Sequence, residues 1–387
     1  MAEIIRQFYL SQVMELFETF PVVAILGARQ SGKSTLALQF SSVFAGKIHR
    51  FDLENDRDLS RLQEAQLTLE ALDGELIIID EIQRRPNLFP SIRYLVDTKP
   101  QRYLILGSAS RDLIQQSSES LAGRIAYIEL PPFGLQEIDN DINQFFLRGG
   151  YPRSLLAPSN KASYRWRQEY IRTFLERDLA GIGSEIPPER MRRFWQMLAH
   201  YHGQIMNATE LAASMGVSHK TIIRYVDILS GTFMTRKLHP WHENICKRQV
   251  KSSKIYVRDA GILGALLGLK NHDELLAHPK LGALWEGFAI EEIIKTIQPD
   301  DTYFWATSNQ AELDLFLLKD GRRLGFEIKY SLSPKITKSM HIAYKDLHLD
   351  KLTVVIPKGE FYFLSEDIKA VGLQELIEFL SNKKSTN

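Results

Sequence analysis

Several features that assign a chain to a special class of protein are missing from this sequence. Its 387 residues include one cysteine, which excludes a disulfide framework or a cysteine-based zinc site and is typical of a reducing compartment. No run of about 18 apolar residues occurs, so no membrane-spanning helix is expected. Charged residues make up 25% of the chain and hydrophobic residues 44%. This balance is that of a globular protein and not of a disordered, collagenous or coiled-coil one.

The beginning of the sequence does not match a targeting signal. The segment MAEIIRQFYLSQVMELF mixes acidic and polar residues among its apolar ones, without the apolar core and cleavage site of a signal peptide. A cytoplasmic location without membrane association is therefore expected. The sequence shows no internal repeat, and its length predicts two to three domains.

Charge is distributed unevenly along the chain. The net charge is +1, but the stretch from Tyr151 to Ala260 has 18 Lys and Arg against 9 Asp and Glu, a local charge of +9. The remainder therefore carries −8. A basic middle between acidic ends indicates contact with a polyanion. An uneven solvated surface is the alternative, and charge alone does not decide between them.

The order of sequence patterns predicts three regions. Short β-rich runs alternate with helical patterns up to Pro131, which is typical of a parallel sheet covered by helices. These runs are PVVAILG, KIHRFDL, ELIIID, YLILGS and RIAYIEL. A mainly helical stretch follows, and mixed α and β patterns return with DTYFWAT, AELDLFLL, RLGFEIKY and KLTVVIP. The expected domains are residues 1–140, 141–245 and 246–387.

A glycine-rich segment follows the first predicted strand. Residues 27–34, GARQSGKS, match G-x-x-x-x-G-K-[ST] at every fixed position, and a helical pattern follows. Glycines let the backbone amides turn inward, and the helix N-terminus adds to this anion-binding cradle. Lys33 is expected to contact the β and γ phosphates of ATP, and Ser34 to hold Mg²⁺. The predicted nucleotide-binding residues are Gly27, Ala28, Arg29, Gln30, Ser31, Gly32, Lys33, Ser34 and Thr35.

Polar residues also end two later strands. Asp80 and Glu81 follow four apolar residues, at the carboxyl end where ligands of parallel sheets gather. We expect Asp80 to orient Mg²⁺, directly or through water, and Glu81 to polarise the attacking water as general base. The next strand ends at Ser108, which either positions that water or caps a helix. The sequence leaves both roles open.

These motifs, in this order, resemble the AAA+ ATPase superfamily. SLAGR at residues 120–124, IAYIELPPFGLQEI and RGGYPRSLL further resemble a prokaryotic family of small AAA+ ATPases with a C-terminal domain of unknown function. The resemblance implies hydrolysis of ATP with Mg²⁺ by Lys33, Asp80 and Glu81. It also implies that Arg124 acts as a finger on the nucleotide of a neighbouring subunit, in a homo-oligomer. An ion pair with Glu119 or a cap on the sheet is the alternative for Arg124.

The middle region contains two amphipathic segments around a glycine. NATELAASMGVS followed by HKTIIRYVDIL predicts two helices, with Gly216 in the turn and Ser218 capping the second helix. With the short strands expected at residues 231–240, this part resembles a winged helix, which implies insertion of the second helix into the major groove of DNA. A module that binds protein is the alternative. The residues expected to face DNA are His219, Lys220 and Arg224 on the helix and Arg236 and Lys237 on the wing.

Carboxylates converge near the C-terminal end of the sequence. Asp314 lies on one predicted strand and Glu327 with Lys329 on the next, and the Asp320-Gly321 turn between them favours a hairpin that brings them together. An Asp and a Glu at such a place hold Mg²⁺, which activates water for phosphodiester cleavage. Glu286 lies on a preceding predicted helix.

This order of a helix acid, a strand acid and E-x-K resembles the PD-(D/E)-x-K nuclease superfamily, except that no proline precedes Asp314. The resemblance implies a metal site on Asp314 and Glu327, completed by Glu286 and Lys329. Glu312, on the same face as Asp314, is a further candidate. Two alternatives stay open, namely surface ion pairs and a nuclease-like fold that binds without cutting.

The sequence therefore predicts an α/β protein with a P-loop NTPase sheet, a helical and winged-helix region, and a restriction-endonuclease-like α/β domain. The expected function is binding and hydrolysis of ATP with Mg²⁺, coupled to DNA binding or processing. The alternative is a nucleotide-dependent regulatory switch whose C-terminal modules bind protein and do not cut DNA.

Overall fold

A computed structural model describes residues 4–108, 121–138, 141–181, 186–242, 251–307 and 311–384. The chain divides into two compact units. Unit 1 is Met1–Pro132 with Ile228–Phe233, and unit 2 is Phe133–Asp227 with Met234–Asn387. No helix in the described ranges is both long enough and apolar enough to cross a bilayer.

Unit 1 contains, among its described residues, a five-stranded sheet in the order β2-β3-β4-β1-β5, in which every neighbouring pair is parallel. The strands are β1 (Val22–Leu26), β2 (Ile48–Asp52), β3 (Leu76–Asp80), β4 (Arg102–Gly107) and β5 (Ile125–Glu129). All residues of β1 and β3 are buried, because a parallel sheet is covered on both faces. The parallel α/β sheet predicted from the sequence is confirmed.

Helices cover the two faces of this sheet. They are α1 (Gln7–Thr19), α2 (Lys33–Val43), α3 (Asp56–Arg61), α4 (Ala65–Glu70) and α5 (Phe89–Thr98). Successive side chains of a strand point to opposite faces, so Ile77 and Ile79 of β3 pack in one apolar cluster with Phe89 of α5. Ile78 packs in a second cluster with Phe40 of α2. Apolar side chains therefore fill both faces of the sheet, and the polar residues that follow the strands lie at its carboxyl end.

The described residues of unit 2 contain a nine-stranded mixed sheet in the order β13-β14-β12-β11-β10-β9-β7-β8-β6. The strands are β6 (Gln204–Ile205), β7 (Thr235–Pro240), β8 (Lys254–Val257), β9 (Asp301–Ala306), β10 (Glu312–Lys319), β11 (Arg322–Ile328), β12 (Lys351–Ile356), β13 (Tyr362–Phe363) and β14 (Ile368–Gly372). Asp320 and Gly321 join β10 to β11 with φ angles of 49° and 74°, as a two-residue hairpin turn with positive φ at both positions requires.

One parallel contact joins the strands of the middle region to the C-terminal strands. His239 and Pro240 of β7 pair with Tyr303 and Phe304 of β9, and β8 pairs antiparallel with both β7 and β6. The predicted boundary near residue 245 therefore falls between strands of one sheet. The division into three domains remains a prediction.

After Pro132 the helices are α6 (Ile142–Arg148), α7 (Pro152–Leu155), α8 (Asn160–Thr173), α9 (Pro188–His200), α10 (Ala208–Met215), α11 (His219–Gly231), α12 (Ala260–Leu266), α13 (His272–Leu276), α14 (Leu281–Ile297), α15 (Lys338–Asp346) and α16 (Leu373–Lys384). They lie in unit 2, except that the residues of α11 from Ile228 onward belong to unit 1. A π turn over Phe174–Asp178 and a helical turn over Leu179–Gly181 continue α8. Gly216, with φ of 65°, ends α10, and the Ser218 hydroxyl accepts a hydrogen bond from the Thr221 N–H. Both features agree with the predicted turn and cap.

Candidate nucleotide site and acid cluster

The glycine-rich loop of unit 1 lies between β1 and the N-terminus of α2. The Gly27 N–H donates to the Gly107 carbonyl across 3.2 Å, and a Cβ at residue 27 would stand 2.3 Å from the Leu130 carbonyl oxygen. Gly32 has a φ of 101°, which side chains rarely permit. The loop therefore requires glycine at both positions, and the backbone turns there as a phosphate cradle needs.

Lys33 opens α2 and turns back over this loop. Its ammonium donates to the carbonyls of Gly27 and Ala28 at 2.9 and 3.0 Å, and the residue is buried. A buried ammonium beside a glycine-rich loop at a helix N-terminus is suited to a bound phosphate. The structure places the Lys33 ammonium at this loop, and its contact with phosphate stays a prediction.

Ser34 and Asp80 meet at the carboxyl end of the sheet. The Ser34 hydroxyl donates to Asp80 Oδ2 at 2.7 Å, and Arg50 of β2 lies 3.6 Å from the same oxygen. Burial raises the pKa of Asp80 above its usual range. A hydroxyl and a carboxylate are hard oxygen ligands of the kind that Mg²⁺ prefers, so these residues fit the expected ion.

Arg50 was not predicted. In the sequence, Arg50 stands two residues before Asp52. Asp52 of β2 pairs with Asp80 of β3, and this pairing would have indicated that Arg50 lies near Asp80. The sequence does not say that β2 neighbours β3, so this pairing could not be used.

Glu81 follows Asp80 in an unusual backbone conformation. Its φ is 56°, which is uncommon for any residue other than glycine and is typical of functional sites. The Ser108 hydroxyl donates to Glu81 Oε2 at 2.7 Å. The Gln83 amide donates to Ser108 Oγ at 2.8 Å and also to Glu81. Ser108 therefore contacts the expected general base, and Gln83, which the sequence analysis missed, joins them.

Arg124 pairs with a residue that the sequence analysis did not consider. Its guanidinium donates two hydrogen bonds to the Asp97 carboxylate, at 2.7 and 3.0 Å, and a third to the Ala122 carbonyl. This guanidinium holds the pKa of Asp97 below its usual range. The alternative partner, Glu119, lies outside the described residues.

The predicted DNA-facing residues of unit 2 separate into two groups. His219, Lys220 and Arg224 are exposed on α11, as expected. Lys237 forms an exposed ion pair with Asp227 at 2.5 Å.

Arg236 is not a solvent-facing wing residue. Its guanidinium bonds to Glu291 of α14, and Arg258 contacts the same carboxylate at 3.3 Å. Burial alone would raise the pKa of Glu291, but the two guanidinium groups lower it to about 2. Arg236 therefore neutralises a buried acid, which corrects the expectation of a phosphate contact.

The C-terminal acids come together as predicted, and we call Glu286, Glu312, Asp314 and Glu327 the acid cluster. Asp314 lies opposite Glu327, one step beyond the Leu315–Phe326 pair of β10 and β11. Asp314 Oδ2 accepts the Ile328 N–H at 2.8 Å. Lys329 Nζ lies 2.7 Å from Glu327 Oε1.

A lysine of β8 lies among these acids and was not predicted. Lys254 Nζ is 2.5 Å from Glu312, 3.2 Å from Glu286 and 3.8 Å from Asp314. The Tyr256 hydroxyl, also on β8, donates to Glu286 at 2.5 Å. No motif marks either residue, because only the sheet order brings β8 to the acids.

Burial and neighbouring charges shift the pKa values of two acids of the cluster, Glu286 and Glu327, and of Lys254. Burial, followed by the charge of Asp314, raises the pKa of Glu286 to about 7 and that of Glu327 to about 8. Burial lowers the pKa of Lys254, but Tyr256 and the surrounding acids raise it well above the usual value. Within the described ranges, no group of three or more His, Cys, Asp or Glu is arranged to hold a metal ion. The predicted nuclease metal centre stays a prediction, and the Lys254 ammonium lies among the acids expected to form it.

Family models match three successive parts of the chain. Residues 19–139 match the family of the AAA domain, which covers the loop, Asp80, Glu81 and Ser108. Residues 139–273 match a domain of unknown function, DUF8612, and residues 281–376 another, DUF4143. Unit 1 thus has the α/β fold of an AAA-like P-loop NTPase domain.

The chain belongs to the same family as two uncharacterized mycobacterial proteins, Rv2008c of Mycobacterium tuberculosis and Mb2031c of Mycobacterium bovis. Each is 46% identical over 363 residues, which are 92% of this chain and 81% of the relative. An uncharacterized protein of Haemophilus influenzae is 21% identical over 302 residues, 70% of this chain and 75% of that protein.

Two solved structures are similar at a lower level. The Walker-type ATPase PABY2304 of Pyrococcus abyssi has a TM-score of 0.47 and 14% identity, over 68% of this chain and 96% of that one. The Orc1 protein of Aeropyrum pernix in complex with DNA has a TM-score of 0.33 and 12% identity, over 69% and 93%.

Proposed function

We propose that the chain is a Mg²⁺-dependent ATPase whose nucleotide state is coupled to DNA binding by unit 2. The observation that carries the ATPase is the meeting of Lys33, the Ser34–Asp80 pair and the Glu81–Ser108 pair at the carboxyl end of one parallel sheet. This end of a parallel sheet is where such folds bind their ligands.

Binding uses the loop and the charges around it. The amides of residues 27–34 would cradle the phosphates of ATP, and the Lys33 ammonium would exchange its two carbonyl partners for phosphate oxygens. Arg50, 3.6 Å from Asp80, adds a second positive charge near the phosphates. We assign ATP rather than another nucleotide on the family of the AAA domain.

Hydrolysis would use the two adjacent acids, Asp80 and Glu81. Ser34 and Asp80 would hold Mg²⁺, which neutralises charge on the phosphates when bound. Glu81 takes a proton from the attacking water at its carboxylate. Ser108 and Gln83 hold that carboxylate in place through the hydrogen bonds described above, so they are positioning residues.

DNA binding is supported by the arrangement of charges in unit 2. The stretch from Tyr151 to Ala260 carries +9, and α11 exposes His219, Lys220 and Arg224. Helices α9, α10 and α11 with the antiparallel strands β6, β8 and β7 follow the order of a winged helix. In such a module the second helix of the pair enters the major groove.

Arg124 as a finger on a neighbouring subunit is part of this proposal. Its guanidinium would have to exchange the two bonds to Asp97 for the nucleotide of a second copy. The exposure of this pair makes the exchange inexpensive, because exposed ion pairs contribute little to stability.

A nucleotide-dependent switch that binds protein is the second candidate. The observation that favours it is the Lys254 ammonium among the acids of unit 2. With this positive charge at the position of a metal ion, a nuclease-like sheet would bind a partner without cutting DNA. We therefore propose a nuclease-like fold for the C-terminal sheet and no cleavage.

The salt dependence of DNA affinity tests the interface. The logarithm of the DNA association constant should decrease as the logarithm of salt concentration rises. In the Lys220→Ala/Arg224→Ala variant, this slope should become less negative by about 0.9 for each lost phosphate contact. The matched control is Lys335→Ala/Lys338→Ala, which removes two exposed positive charges outside the basic stretch. An equal loss in both variants, or an affinity of the parent chain that ignores salt, would contradict the proposed interface.

A further inference from the structure

The acid cluster of unit 2 already contains a cation. Lys254 is 4% exposed, and its ammonium lies within 4 Å of the carboxylates of Glu286, Glu312 and Asp314. The ring of Phe304 lies 5.6 Å from the same ammonium. Because its stem is fixed in β8, paired on both sides by β7 and β6, the ammonium is held by the sheet itself.

A divalent ion would need the same space. Mg²⁺ requires oxygen ligands at about 2.0–2.1 Å in near-octahedral geometry. The oxygens of Glu286 and Glu312 are instead at hydrogen-bond distances of 3.2 and 2.5 Å from the Lys254 nitrogen. A metal ion and this ammonium therefore compete for one position between the acids.

One carboxylate oxygen of the cluster remains unused. Glu327 is 5% exposed, and its Oε1 pairs with Lys329. Its Oε2 is buried and has no hydrogen-bond partner among the described residues. Such a buried acceptor is costly to leave unsatisfied. The oxygen is on the face of β11 that Asp314 shares across the hairpin, so it is a ligand that Lys254 and Lys329 leave available.

We propose that Lys254 occupies the cation position of the acid cluster, so that the folded chain takes no divalent ion there, and that removal of its ammonium opens a divalent-metal site on Glu286, Asp314 and Glu327. The proposal concerns unit 2 alone and does not depend on ATP hydrolysis or DNA binding.

The test is a titration of the nucleotide-free full chain with Mn²⁺ alone. Calorimetry measures the binding, and the melting temperature is measured with and without Mn²⁺. Lys254→Met should bind one more Mn²⁺ per chain than the parent, at least about tenfold more tightly than any Mn²⁺ the parent takes in unit 2. Mn²⁺ should also raise its melting temperature, because a ligand that binds only the folded state stabilises it. Lys254→Arg keeps the cation and should bind no additional Mn²⁺.

Two further variants test the proposal. Lys254→Met/Asp314→Asn should lose the additional Mn²⁺. Glu327→Gln in the parent chain should leave Mn²⁺ stoichiometry unchanged, and this arm requires no change at Lys254, so it stands even if the methionine variant does not fold. A parent chain that loses a bound Mn²⁺ on Glu327→Gln would overturn the proposal. So would a folded Lys254→Met that takes no additional ion.

Discussion

Gln83→Ala tests whether the hydrogen bonds around Glu81 position the general base. Gln83 follows Glu81 by two residues, and its amide contacts both Glu81 and Ser108. The substitution removes these contacts and keeps the bond from Ser108 to Glu81. Lys33, Ser34 and Asp80 keep every contact that we described for them.

The expected magnitude follows from the type of bond that is lost. A hydrogen bond to a charged group contributes about 1.5–3 kcal/mol. Glu81 and Gln83 are only partly buried, so we take the lower end. A loss of about 1.4 kcal/mol of transition-state stabilisation lowers kcat about tenfold. The Kd for ATP should not change, because the phosphate loop is untouched.

Steady-state ATP hydrolysis gives kcat, and equilibrium titration with a fluorescent ATP analogue gives Kd. Gln66→Ala, an exposed glutamine of α4, is the matched control and should match the parent. A kcat within twofold of the parent would refute the positioning role. An increase in kcat would show that the Gln83 amide restrains Glu81. A higher Kd for ATP with an unchanged kcat would show that Gln83 contributes to ATP binding.

Glu81→Gln should lower kcat by about 10²–10⁴ while ATP still binds, as single-turnover hydrolysis and titration would show. Gly27→Ala should lower the melting temperature and abolish ATP binding, because its Cβ would stand 2.3 Å from the Leu130 carbonyl; Gly282→Ala, whose Cβ meets no described atom within 4 Å, should do neither. Burial lowers the pKa of His202 to about 3, so the unfolded chain binds more protons and the free energy of unfolding should fall as pH drops from about 6.5 toward 3. His202→Asn should flatten this part of the profile in denaturant titrations, and an unchanged slope would contradict the assignment.

Much of unit 1 could be predicted because its signals are local. The phosphate loop occupies eight consecutive residues between an apolar strand and a helix, and Asp80 with Glu81 directly follows another apolar strand. Each signal therefore carries its own structural context. Gln83 was not predicted, because a glutamine in a turn belongs to no recognisable motif. Arg50 was not predicted, because the order of strands in the sheet cannot be deduced from the sequence.

The acid cluster shows the same limit. The Asp320-Gly321 turn fixes the register of β10 against β11, so the approach of Asp314 to Glu327 could be predicted. Lys254 could not, because β8 reaches the acids through the parallel pairing of β7 with β9, which joins residues far apart in the sequence. Lys254 therefore brings to the acid cluster a positive charge that the sequence analysis did not include.

Two arginines illustrate how partners escape prediction. Arg236 and Lys237 are adjacent, so strand alternation sends their side chains to opposite faces, and the sequence does not say which of them faces inward. Arg236 meets Glu291 of α14, whose burial makes a cation partner necessary. Arg124 finds Asp97 at the end of α5, a contact between elements that no spacing rule connects.

Hydrolysis of ATP with Mg²⁺, measured with and without double-stranded DNA and with Lys33→Ala as the blank, tests the proposed function most directly. We expect hydrolysis that requires Lys33 and rises when DNA is added, because nucleotide state and DNA binding are proposed to be coupled. Equal rates for the parent and Lys33→Ala would contradict the ATPase itself. Hydrolysis that requires Lys33 and ignores DNA would contradict the coupling and favour the switch that binds protein.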